Sequence, residues 1–376
     1  MRILLCTGVY PPAIGGPATF ARTLAHGLKR AGHEPIVLTY GDASTMSGEG
    51  WPVHVVSSAG GVVVRYVRYA WHVWRLGRSC DALYVSGPIS DGVPVTCANA
   101  LLRKPVVMKI VGDAAWESAM QAGTQEISLD AFVQQPQGGR VGVFARLERW
   151  TAARAARVVT PSVFLKRIVE AWGVPSDRVQ VVHNAIPALP APTQSRDALR
   201  ASFGVEGKRV VLTVVRAVAW KGVDFLIDVL RDLPLEMILV SAGDGPMLGA
   251  WQAQVEAAGL ADRVRLLGRV NRQSIADWYA CADAFVLATG YEGFPHVVLE
   301  AAAAGLPCFV SDRGGNPETL SFFPDQVTVV PYRDREAWVR ALSGSFMRFA
   351  ATAPDTLSEP AMLQAYEHVL QDVVRV

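Results

Sequence analysis

The segment YEGFPHVVLEAAAAGLPCFVSDRGGNPE, residues 291–318, sets Glu292 and Glu300 eight positions apart across the start of a helix. Gly293, Phe294, Pro295 and His296 form the turn between them, and good helix formers follow. The first N–H groups of a helix have no partner within it, and the helix dipole draws anions to them. Val298 and Leu299 fall in that first turn and are expected to offer N–H groups to a phosphate. The small residues of EAAAAG let the helix lie close to a sheet. Carboxylates accept hydrogen bonds from hydroxyls. The segment therefore suits a ligand with hydroxyls at both ends and a diphosphate between them, which is the shape of a nucleotide sugar.

Outward from this segment, short β-branched runs recur, each followed by a helical pattern. In the first half they occupy residues 3–9, 35–40, 82–86, 106–111, 157–160 and 179–183, with helical stretches such as 18–31 and 161–172 between them. A second series occupies 209–215, 236–242, 264–267, 284–288, 308–311 and 327–330. Continuous apolar strands alternating with helices predict parallel sheets covered on both faces. Two such series predict an α/β protein of two Rossmann-like, doubly wound domains facing across a cleft. Ligands of such sheets bind at the carboxyl ends of the strands, and a cleft between domains is a preferred place for them. The stretch PALPAPT, residues 187–193, has three prolines in seven residues and marks the boundary. The expected domains are 1–186 and 187–356.

Composition narrows the function. A chain of 376 residues with 51% hydrophobic content can fill two cores. A formal charge of +2 gives no reason to expect nucleic-acid binding, so anion binding must be local. The cysteines at 6, 80, 97, 281 and 308 have neither CxxC nor metal-ligand spacing, which reads as buried thiols in a reducing compartment. MRILLCTGVYPP is broken too early by proline to be a leader, and no apolar run reaches the ~20 residues of a membrane span. A cytoplasmic protein is expected.

Other constellations extend the site. In VVRAVAWKG, residues 214–222, Arg216 ends a strand and Lys221 follows a short turn. Arg can grip two phosphate oxygens, Lys acts as a point charge, and both can stabilise a leaving diphosphate. In AGDGP, residues 242–246, Gly243 and Gly245 permit a sharp turn and close approach to a base or ribose. In TGVYPPAIGGPATF, residues 7–20, Gly15 and Gly16 precede a helix and can present N–H groups to phosphate or an acceptor hydroxyl. The pattern is not GxGxxG, so a dinucleotide cofactor is not expected. In KIVGDAAWE, residues 109–117, Asp113 follows a strand. It reads equally as a carboxylate facing the cleft, able to bind a sugar hydroxyl or act as a base, or as a helix N-cap. Lys109 and Glu117 are weaker candidates. The histidines have no metal spacing and no Asp-x-Asp triplet occurs, so no metal site is expected.

Two segments stand apart. Residues 117–140 are polar and Gln-rich and read as a long loop or short helical excursion. Residues 65–78, RYVRYAWHVWRLGR, mix four arginines with two tyrosines and two tryptophans. They read either as an interfacial helix in weak peripheral contact with the inner face of an anionic membrane, or as a surface helix whose aromatics face the core. The second reading is favoured, because only one basic segment of this kind is present.

Taken in order, these motifs make the chain resemble the retaining glycosyltransferases of family 4, which have the two-domain GT-B fold. The resemblance runs nearly end to end. It takes in Tyr10-Pro11-Pro12 with Gly15-Gly16, residues 160–187 including Asn184, and Arg216 with Lys221-Gly222. It continues through Gly243-Asp244-Gly245-Pro246, the Glu292/Glu300 pair, and Gly314-Gly315 with Pro317-Glu318. It implies that Glu300 holds the donor ribose, that Arg216 and Lys221 hold the diphosphate with help from the Val298 and Leu299 N–H groups, and that Glu292 contacts the donor sugar. Gly16 would approach the phosphate or the acceptor. It further implies hexosyl transfer from a UDP- or GDP-sugar, with no metal and with retention, to a glycan, a lipid-linked sugar or a metabolite. A C-terminal helix, 357–376, would cross back to the first domain. The chain departs from the family pattern at Asp113, where many members have His, and at Pro295-His296, where many have Gly or Asn, so sugar identity does not carry over. A nucleotide-sugar 2-epimerase on a similar fold is the alternative activity, and a binding module without activity is a third reading.

Overall fold

The computed structural model describes residues 1–13, 15–41, 49–123 and 127–375. By contact, the chain divides into two compact units. Leu129–His183 and the elements before them group with the terminal helix, while Asn184–Ser358 form the other unit together with Ile127 and Ser128.

The first unit contains β1 (Arg2–Thr7), α1 (Gly16–Arg30), β2 (Glu34–Tyr40), β3 (Val53–Val56), α2 (Val62–Gly77), β4 (Ala82–Val85) and α3 (Gly92–Leu102). It continues with β5 (Val106–Lys109), α4 (Ala114–Gln121), α5 (Leu129–Val133), α6 (Gly139–Ala152), β6 (Arg157–Thr160), α7 (Val163–Ala171) and β7 (Val179–Val181). Its strands pair in parallel in the order β3-β2-β1-β4-β5-β6-β7.

The second unit contains α8 (Arg196–Ser202), β8 (Arg209–Val214), α9 (Val223–Leu230), β9 (Met237–Ala242), α10 (Leu248–Ala257), β10 (Val264–Gly268) and α11 (Arg272–Cys281). Then come β11 (Ala284–Leu287), α12 (His296–Ala303), β12 (Cys308–Ser311), β13 (Val327–Val330) and α13 (Arg335–Ser343). Its parallel order is β10-β9-β8-β11-β12-β13. The last helix, α14 (Glu359–Arg375), packs on α1, β4 and β5 of the first unit.

The strands read from sequence are all present, and their burial explains their legibility. β4, β5, β9, β11 and β12 are buried along their whole length, as strands covered by helices on both faces must be. β3 was not anticipated. It is a four-residue edge strand with three half-buried positions and His54 inside it, so neither a continuous apolar run nor a clear alternation marks it. The polar stretch 117–140 contains the end of α4, all of α5 and the start of α6, and its residues 124–126 lie outside the described residues, as does Ile14 of the first glycine loop.

Candidate active site

In the second unit the strand order reverses between β8 and β11, which are hydrogen-bonded neighbours. Such a switch point leaves a crevice at the carboxyl ends of the two strands. The chain leaves β8 through Val215–Ala217 into a 3₁₀ turn, Ala219–Lys221. It leaves β11 through Thr289–Pro295 into α12. Lys221 and Glu292, 71 residues apart in sequence, thereby meet: Lys221 Nζ lies 2.5 Å from Glu292 Oε1, with both side chains largely buried. Arg216 is exposed on the same loop as Lys221, its guanidinium carbon 6.0 Å from the centre of the Trp220 ring.

A buried polar network fixes these two loops to each other. Thr289 is fully buried, and its hydroxyl lies 2.9 Å from the Trp220 carbonyl and 2.8 Å from that of Tyr291, while the Tyr291 N–H donates to it. The Gly290 N–H also donates to the Trp220 carbonyl. Ser311 at the end of β12 donates to the Thr289 carbonyl at 2.5 Å, and Asn316 Nδ2 donates to Ser311. Trp220 precedes Lys221 and Tyr291 precedes Glu292, so the network sets the backbone on both sides of the ion pair. Thr289→Val keeps the shape, takes the hydroxyl from the Trp220 and Tyr291 carbonyls and leaves the buried Tyr291 N–H without this acceptor. It should cost about 1–3 kcal/mol of unfolding free energy. Denaturant unfolding checks this, and an unchanged midpoint would contradict it.

The glycines have a local explanation. Gly243 and Gly245 have φ of 132° and 157°, and a Cβ on either would run into the carbonyls of Val215 and Ala217. The Ala217 N–H donates to the Asp244 carbonyl, and the Met247 N–H donates to that of Ala217. Both glycines therefore allow a close approach to the chain's own Arg216 loop. Gly314 and Gly315 likewise press against the backbone of Glu292 and Gly293, and the Gly315 N–H donates to the Glu292 carbonyl at 2.7 Å.

α12 begins at His296 with Pro295 as its N-cap residue. The expectation that Val298 and Leu299 present free N–H groups is corrected here. Both donate to the Pro295 carbonyl, at 3.0 and 3.3 Å, because the helix is already closed at that point. Phe294 is buried edge-on to Phe322, which anchors the turn. His296 Nε2 lies 2.9 Å from Asn184 Nδ2. Glu300 sits one turn into α12, 9% exposed, with Oε2 3.3 Å from the Tyr279 hydroxyl and Oε1 3.8 Å from Arg272. Burial raises its carboxyl above the ordinary value, against the pull of Arg272 and Tyr279.

In the first unit, Gly15 has φ of 149° and caps α1, and Gly16 is the first residue of that helix, with open space where a Cβ would lie. Asp113 is 3% exposed and caps α4, Oδ1 accepting the Trp116 N–H at 2.7 Å. Of its two sequence readings, the cap is the one its contacts display. Sequence reasoning missed its companion, Glu148 of α6, which is 1% exposed and accepts the N–H groups of Ala114 and Ala115. A Glu on the face of α6 that also carries the buried Ala145, Thr151 and Ala152 was the available signal. Lys109 is buried with Nζ 3.1 Å from the centre of the Phe20 ring, and burial lowers its pKa.

Burial, and then the neighbouring Asp113, push the Glu148 carboxyl up to about 8. A raised carboxyl favours the folded state while protonated. Its contribution is whole below the unfolded value of 4.5 and is gone once the pH has risen through about 8. Glu148→Gln keeps an oxygen for the two N–H groups and cannot titrate. The wild-type Tm should therefore fall relative to that of Glu148→Gln as the pH rises through this window. Parallel Tm curves would contradict the assignment.

Comparison with known proteins agrees with this architecture. Residues 15–185 match the family "Glycosyl transferase 4-like domain", and residues 195–344 match "Glycosyl transferases group 1". An uncharacterized glycosyltransferase of Methanocaldococcus jannaschii is 27% identical over 361 residues, covering 90% of this chain and 87% of that protein. The D-inositol 3-phosphate glycosyltransferase of Xylanimonas cellulosilytica is 30% identical, over 49% of this chain and 46% of its own length. Among solved structures, Anabaena HepE in complex with UDP-glucose superposes with a TM-score of 0.71 at 18% identity, covering 100% of this chain and 97% of that one. The chain is a glycosyltransferase of the GT-B fold, of the family 4 type. It is therefore an enzyme, and nothing in these likenesses points to an epimerase.

Proposed function

We propose that the enzyme transfers a hexosyl group from a UDP- or GDP-sugar to an acceptor hydroxyl, with retention and without a metal ion. The acceptor is a glycan, a lipid-linked sugar or a metabolite, and the enzyme works in the cytoplasm with a weak peripheral contact at the inner membrane face. The observation that carries this reading is the Lys221–Glu292 pair at the β8/β11 switch point, with the exposed Arg216 on the same loop. The two cations take the charge role that a metal serves in other transferases. While the donor is absent, Glu292 neutralises Lys221. A bound diphosphate draws Lys221 to itself and leaves Glu292 to accept bonds from the sugar hydroxyls. Glu300 accepts bonds from the ribose.

In a front-face reaction the bond from the anomeric carbon to the β-phosphate oxygen breaks. The acceptor oxygen forms its bond to that carbon on the same face. The acceptor proton passes to the leaving phosphate, so no protein nucleophile is needed. The test is proton NMR of the product made from α-linked UDP- and GDP-hexoses with a chelator present. An α-linked product is expected; a β-linked product, or transfer that needs added metal, would overturn the reading.

A further inference from the structure

Helix α2 has two apolar faces. Tyr69, Val73 and Gly77 are buried. On the other side Val63 is 75% exposed, Val67 64%, Trp71 50% and Trp74 38%. These four recur at i, i+4, i+8 and i+11, so at 100° per residue they form one outward stripe. A surface helix normally turns polar residues outward. Here the tryptophans face away from the core, contrary to the reading favoured from sequence. Val62 and Val64 at the helix start, and Leu101 on α3, which packs on α2, are exposed as well.

The charges around the stripe are of one sign. Arg68, Arg75 and Arg78 are exposed, and α2 and α3 contain no Asp or Glu. Arg75 lies 5.5 Å from the centre of the Trp71 ring, and Arg78 lies 5.1 Å from that of Trp74, so guanidinium and indole form mixed pairs at the rim. Arg68 donates to the Ala59 carbonyl at 2.8 Å and ties the turn before the helix to it. A second copy meeting this face about a two-fold axis would set arginines against arginines with no carboxylate on either helix to offset them. An anionic lipid leaflet complements both properties. Its headgroups pair with the arginines, tryptophan settles at the headgroup level, and the valines enter the acyl boundary. At 16 residues with internal arginines, α2 can lie in the interface but not cross it.

We infer that the outward face of α2, Val63-Val67-Trp71-Trp74 rimmed by Arg68, Arg75 and Arg78, docks the enzyme on an anionic membrane surface. The inference rests on the peripheral-contact reading above and stands apart from the donor assignment. The test is co-flotation of the full chain with vesicles of phosphatidylcholine alone, or with phosphatidylglycerol added, at low and high salt. Donor-induced thermal stabilisation is measured in parallel as a check of folding. Wild type should float with the anionic vesicles, and high salt should weaken this at least about tenfold. Val67→Glu and the double variant Trp71→Ser/Trp74→Ser should lose flotation and keep donor stabilisation. Arg75→Gln/Arg78→Gln should lose the preference for anionic vesicles. Absence of wild-type flotation, or flotation of the Val67→Glu and tryptophan variants equal to wild type, would overturn the inference. So would concentration-dependent dimerisation abolished by those variants without vesicle binding, which would assign the face to a second copy.

Discussion

Lys221→Ala should lower kcat by about 10²–10³-fold, the usual effect of removing a group aimed at charge that develops in the transition state. Lys221 follows the Trp220 carbonyl, which the Thr289 hydroxyl and the Gly290 N–H both hold, so the ammonium group is delivered from a fixed backbone. Its present partner is Glu292 at 2.5 Å. Without it, Glu292 is left in a largely buried position without its cation. The variant should therefore bind the nucleoside diphosphate more weakly as well as turn over more slowly. Lys221→Arg separates the two roles, because it restores charge with a different reach and should recover binding better than kcat. Steady-state kinetics with each nucleotide sugar decides the matter. An unchanged kcat in Lys221→Ala would remove Lys221 from the reaction.

Glu300→Ala is expected to act differently. A charged hydrogen bond from a ribose hydroxyl to a buried carboxylate contributes about 1.5–3 kcal/mol, so losing even one should lower nucleotide affinity about 10- to 100-fold. The ribose does not change during transfer, so the loss should appear in KM while kcat at saturation is kept. The raised carboxyl adds a signature in pH. Burial keeps Glu300 protonated at a higher pH than a solvated glutamate. A protonated carboxyl is a poorer acceptor, so affinity should decline as the pH falls through that raised value. In Glu300→Gln, weaker throughout, the decline should be absent. Calorimetric titration across pH checks both points; a wild type and a Gln variant with the same pH profile would contradict the ribose assignment.

Much of this architecture is legible in the chain because parallel strands buried on both faces read as continuous apolar runs. β11, AFVL, and β12, CFVS, are of this kind. β3 was hidden by its half-exposed place at the sheet edge, where burial does not enforce a pattern. The candidate residues Arg216, Lys221, Glu292 and Glu300 could each be picked out of the sequence, but the pairing of Lys221 with Glu292 could not. The contact of Lys221 with Glu292 follows from β8 lying beside β11, a matter of strand order that no local pattern encodes. The buried hydroxyls of Thr289 and Ser311 were invisible for a related reason, since Ser and Thr at strand ends are common and only the packed structure reveals what they hold. At Asp113 the residue type fitted a cap and a cleft carboxylate equally, and the contact on display in the structure is the cap, from the Trp116 N–H. In α2 the spacing identified an amphipathic helix correctly and assigned the tryptophans to the wrong side, because both faces are apolar.

The central claim is that the carboxyl ends of β8 and β11 bind a nucleotide sugar through its diphosphate and ribose. The most direct test is thermal stabilisation of the purified chain by UDP-, GDP-, dTDP- and ADP-sugars with a chelator throughout, for wild type, Lys221→Ala and Glu300→Ala. A ligand that binds only the folded state must raise Tm. The account predicts a clear rise with UDP- or GDP-sugars in the wild type that is sharply reduced in both variants. A rise that survives both substitutions would place the donor elsewhere, and no rise with any of the four nucleotides would contradict the claim.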